Sequence, residues 1–120
     1  MKRLLVALFA AFLVLTTVSA AQRTGELSKK ELKELLAKAS TPQDHLRLAR
    51  HYEAKAKQYE AESAEHAEMA KMYRAQPTAS ETKRPGAADT VAHCESISES
   101  LGKASKEARA LAASHQQMAK

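Results

Sequence analysis

Between Pro42 and Pro77 the chain carries no further proline and no glycine, and its residues are mostly Ala, Glu, Lys and Gln. These are good helix formers, and nothing in the stretch stops a helix once it has begun. Thr41-Pro42-Gln43-Asp44 supplies the start: Thr41 can cap, Pro42 suits the first helical position, and Asp44 meets the positive end of the helix dipole. One long helix over 42–75 is therefore predicted. Its heptad pattern is unbroken. His45, Tyr52, Tyr59, His66 and Tyr73 stand seven residues apart, and Ala49, Ala56, Ser63 and Ala70 follow at i+4. Seven-residue spacing keeps side chains on one slowly drifting face, so bulky rings alternate with small residues that let another helix approach.

The rest of the chain is read around that helix. Ser28-Lys29-Lys30-Glu31 has the form of a capping box and predicts a short helix over 29–38, with Leu32, Leu35, Leu36 and Ala39 on one side. Gln76 to Ala88 contains Pro77, Pro85 and Gly86 and predicts a loop over 76–88. A third helix over 90–119 follows, capped by Asp89 or Thr90. Its expected seam has two rows: Cys94, Leu101, Ala108 and His115, partnered by Ile97, Ala104, Leu111 and Met118. No strand pattern is present. The expected fold is all-α, a short N-terminal helix followed by a long antiparallel helical hairpin, forming a single helical domain over 27–120.

The start of the chain reads as an export signal. Met1-Lys2-Arg3 is basic, Leu4 to Val18 is an uncharged, mainly apolar run, and Ser19-Ala20-Ala21 offers small residues for a peptidase. That run is shorter than the roughly 20 residues a membrane-spanning helix needs. A cleaved signal peptide over 1–20, a flexible terminus over 21–26 and a periplasmic or secreted location are expected, with no stable membrane insertion after cleavage. Cleavage removes Lys2 and Arg3, lowering the net charge from +5 to +3. The remaining basic residues are scattered and Trp is absent, so nucleic acid is not the expected partner. The single Cys94 cannot form an internal disulfide, leaving a free thiol, an intermolecular bridge or a metal ligand.

Folding the hairpin brings particular side chains together. Residues on the two long helices lie opposite one another when their numbers add to about 164, within a turn either way. The imidazoles and sulfurs then gather at the two ends. His66, Met69, Met72, His93 and Cys94 lie near the loop, and a weaker cluster of His45, His51, His115 and Met118 lies at the open end. His93 and Cys94 are sequence neighbours about 100° apart on a helix, so both cannot be central. Thioether, thiolate and imidazole together suit a soft transition metal, with copper the candidate cofactor. The alternative is that Cys94 packs as a small buried hydrophobe and the histidines are ordinary polar edge residues.

Two short segments share the pattern His-x-x-Met-Ala-Lys, at His66–Lys71 and His115–Lys120. Such His-x-x-Met pairs resemble those of small periplasmic silver- and copper-binding proteins, over a few residues only. That resemblance implies binding of a soft metal through imidazole and thioether. In size and charge the chain also resembles the helical stress chaperones of the periplasm, although their Leu-Thr-x-x-Gln repeat is absent.

The composition narrows the remaining choices. After the signal, the large aliphatic residues number ten, a thin core for a helical domain. An open hairpin face therefore predicts a homodimer that completes a four-helix bundle, or a client or partner protein held on that face. No Ser/His/Asp set, Gly-rich phosphate loop or paired carboxylates stand out, so an enzyme is not expected.

Overall fold

In the computed structural model, residues 25–76 and 87–120 are described; the expected signal peptide and the centre of the interhelical loop lie outside them. Three helices are present, α1 (Lys29–Lys38), α2 (Pro42–Ala75) and α3 (Ala87–Met118), and no strand occurs among the described residues. No helix of the described residues is long and apolar enough to cross a membrane.

Both predicted starts are built as read. Ser28 Oγ accepts from Glu31 N at 3.3 Å, and Glu31 Oε2 accepts from Ser28 N at 2.9 Å. Thr41 Oγ1 accepts from Asp44 N, and Asp44 Oδ2 accepts from Thr41 N, both at 3.2 Å. Each box satisfies donors that the first helical turn leaves without partners. The third helix begins earlier than expected. Ala87 and Ala88, both strong helix formers, extend it toward Gly86, and Asp89 stands in the first turn instead of capping it.

α2 and α3 pack antiparallel along their length. Ser63 pairs with Ser98, Ala56 with Ser105 and His45 with His115, so rising numbers on one helix meet falling numbers on the other. These pairs add to 160 or 161, within a turn of the expected register.

The seam is made of small residues from both helices. On α2 the predicted small row faces the seam, with Ala56 fully buried, Ala49 and Ala70 nearly so and Ser63 half-buried. On α3 the row Cys94, Ala108 and half-buried Leu101 and His115 faces inward as expected. Its partner row is not the expected one. Ile97, Leu111 and Met118 are 42%, 45% and 52% exposed, whereas Ser105 and Ala112 are buried and Ser98 is half-buried. The reason lies in the hydrogen bonds. Ser63 Oγ donates to the Ser98 carbonyl at 2.7 Å, Ser98 Oγ donates to the Ser63 carbonyl at 2.8 Å, and Ser105 Oγ donates to the Ala56 carbonyl at 2.9 Å. A hydroxyl reaches a carbonyl on another helix only when the backbones come close, and Ile or Leu in those positions would hold them apart.

α1 lies against the first part of α2. Gly25 takes a left-handed backbone conformation (φ 73°), which a side chain would disfavour. Leu27 N donates to His51 Nδ1 at 3.0 Å, and Lys55 pairs with Glu26 at 3.1 Å. Leu35 and Leu48 are buried.

Candidate functional site

The open end of the hairpin holds a stack of rings. His45 Nδ1 and His115 Nδ1 stand 3.2 Å apart, with ring centroids 5.4 Å apart and planes 21° from parallel. Tyr52 also stacks on His115, with ring centroids 5.7 Å apart and planes nearly parallel. A neutral imidazole carries one proton, so one of the two Nδ1 atoms donates and the other accepts. Burial holds the His115 ring below the ordinary histidine range, and a charge on His45 would push it further down.

Of the other members of the expected open-end cluster, His51 is engaged with the chain before α1 and Met118 is exposed. His51 is buried and turned toward the chain before α1, where its Nδ1 already accepts from Leu27 N. Its ring meets Tyr52 edge-on at 5.3 Å. Burial lowers its pKa, an effect that Glu26 opposes and Lys55 reinforces. Sequence spacing missed the Leu27–His51 bond because its partners are 24 residues apart and on different elements. The role of Tyr52 could have been read from its place in the same seven-residue row as His45.

At the loop end the structure divides the expected set. His93 is exposed and Met72 is 66% exposed, while Met69 and His66 are half-buried and Cys94 is a buried free thiol. The register that sets His45 against His115 also sets His66 against Cys94, each pair adding to 160. His66 Nδ1 is itself fully buried and is the buried side-chain nitrogen or oxygen among the described residues that lacks a hydrogen-bond partner. Leaving such an atom unpaired costs about 1–3 kcal/mol, so it calls for an explanation.

No group of three His, Cys, Asp or Glu that could hold a metal occurs among the described residues. Of the expected loop-end donors, His66 and Cys94 are opposite one another by register, and Met69 stands one turn along α2 from His66. The groove between Leu46, Arg50 and Gln116 holds about 290 Å³, is open to solvent, and has neither imidazole nor sulfur in its lining. It offers a small molecule no enclosure. Against family models, curated proteins and solved structures, the chain has no match.

Proposed function

We propose that the chain is an exported helical hairpin that binds a soft transition-metal ion, copper(I) by chemistry, between His66 of α2 and Cys94 of α3, with Met69 as a third donor. The observation that carries this reading is the unpaired, buried Nδ1 of His66 in the same layer of the seam as a buried free thiol. Imidazole, thiolate and thioether form a donor set suited to copper(I). Binding forms a metal–sulfur bond as the Cys94 thiol gives its proton to solvent, so the site takes up the ion in exchange for a proton. Met72 and His93, exposed at the same end of the hairpin, are open to an incoming ion.

The test is a titration of the thiol-reduced protein with copper(I) against a competing chelator. One ion per chain should bind more tightly than micromolar, and Cys94→Ser or His66→Ala should abolish that binding while His115→Ala leaves it. Affinity no tighter than micromolar, or binding indifferent to both substitutions, contradicts the reading.

A second reading rests on a different observation, the exposure of Ile97, Leu111 and Met118 on one row of α3. A hairpin with an apolar row outside its own seam serves to hold another protein chain, as client or as structural partner. That activity should survive Cys94→Ser and fail when the row is made charged.

A further inference from the structure

We infer that the uncovered flank of α3 is the contact face for a second copy of this chain, closing two hairpins into a four-helix bundle. The inference names the partner for the second reading above and is independent of the metal.

The face is defined by heptad spacing. Ile97, Ala104, Leu111 and Met118 stand seven residues apart on α3, beside the seam, and the three large members are all more than two-fifths exposed. Turning 100° per residue, the arc around this row includes His93, Ser100 and Ser114, and its one carboxylate is Glu107. The other charged side chains of the helix body, Glu95, Glu99, Lys103, Lys106 and Arg109, lie round the remaining side. Arg109 closes that opposite flank by bridging to Glu53 at 3.4 Å and to Glu60. In a chain that is 28% charged, a strip this poor in charge is a segregated surface.

A second copy is the occupant that fits it. Related by a two-fold axis, such a face meets itself, and an uncharged row places no like charges against one another. The hairpin also lacks what this pairing would supply. The buried residues of its seam are mostly Ala, Ser and Cys, and Leu48 is the large side chain that is fully buried among the described residues. Helix pairs joined by small residues can share their large residues with a second pair, and Ile97 and Leu111 are placed to form that shared core. The strip belongs to α3 alone. Ile97 to Met118 runs about 32 Å along a helix about 10 Å across, or about 300 Å² on each copy. The flank of α2 beside it supplies the rest of a stable interface.

Sedimentation of the full chain, processed by its host and kept in reductant, tests this across micromolar concentrations. The wild type should sediment as a dimer. The double variant Ile97→Glu with Leu111→Glu should be monomeric, with its helical circular dichroism unchanged because both sites are exposed in the hairpin. Lys106→Glu, on the charged side, should remain dimeric. A wild type that stays monomeric up to about 100 µM, or a dimer that survives the double substitution, overturns the inference. Copper(I) titration of the double variant separates the two proposals, since Cys94 and His66 lie in the seam and should bind as in the wild type.

Discussion

Ser63 and Ser98 exchange hydroxyls across the hairpin, each donating to the other's backbone carbonyl, at 2.7 and 2.8 Å. Each hydroxyl has one proton and spends it on a carbonyl, so the 3.2 Å contact between the two oxygens is a consequence of the crossing and not a third bond. The pair marks the layer where α2 and α3 are held close, and this closeness decides which residues of α3 turn inward.

The seam should therefore punish size more than it punishes polarity. Ser105→Leu, which loses the bond to Ala56 and forces a large side chain between the backbones, should cost about 1–3 kcal/mol or more by chemical denaturation. Leu111→Ala, at an exposed site of the isolated hairpin, should cost less than about 1 kcal/mol once the dimer is disrupted. Equal costs for the two would contradict the observed burial.

Gly102 stands opposite Ser63, and a Cβ built there would meet Ser63 Oγ at 3.6 Å, an ordinary contact. The site has room for a methyl group, and glycine in a helix interior is the less favourable residue. Gly102→Ala should raise stability by about 0.5–1 kcal/mol, read as an increased denaturation midpoint at unchanged slope. A loss of stability would mean that the helices approach more closely than this.

The caps make separable contributions. Thr41→Ala removes the side chain that accepts from Asp44 N and should lower stability by about 1 kcal/mol. The Thr41 hydroxyl, with the bonds from Ser40 N and Thr41 N, also holds the Asp44 carboxyl below its ordinary range. NMR titration should find Asp44 titrating below an unperturbed aspartate in the wild type and closer to it in Thr41→Ala.

Acid should loosen the hairpin at its open end. Burial is the main cause that places His51 and His115 below the ordinary histidine value of 6.5. Both are then more easily protonated in the unfolded chain than in the folded one. Their contribution to stability is fully present above that value and is lost as pH falls below it toward their folded pKa values. The thermal midpoint should drop between about pH 7.5 and about pH 5, and the double variant His51→Gln with His115→Gln should show a flatter slope. An equal slope in both proteins would place the pH dependence on other groups.

Much of the fold was legible because its signals are local and repeated. The caps at Ser28 and Thr41, the absence of a breaker through α2 and the five-membered row from His45 to Tyr73 each depend on spacing alone, and the register followed from the length of the loop. The outward row of α3 was misread for a physical reason. Hydrophobicity ranks Ile97 and Leu111 above Ser98 and Ser105, but the serines lose little by burial when a carbonyl on α2 accepts from them, and they allow the helices to close. The candidate site was legible as a list of residues and not as a grouping. Helical spacing put His51 at the open end, yet a backbone N–H before α1 takes its Nδ1. The expected loop-end set of five divides into buried or half-buried His66, Cys94 and Met69, and exposed Met72 and His93.

X-ray absorption at the copper edge of the copper(I)-loaded, reduced protein tests the metal proposal most directly. A first shell with both sulfur and nitrogen scatterers is expected, losing sulfur in Cys94→Ser and nitrogen in His66→Ala. A shell of nitrogen alone, unchanged by either substitution, would contradict the proposal, as would a protein that retains no copper after desalting.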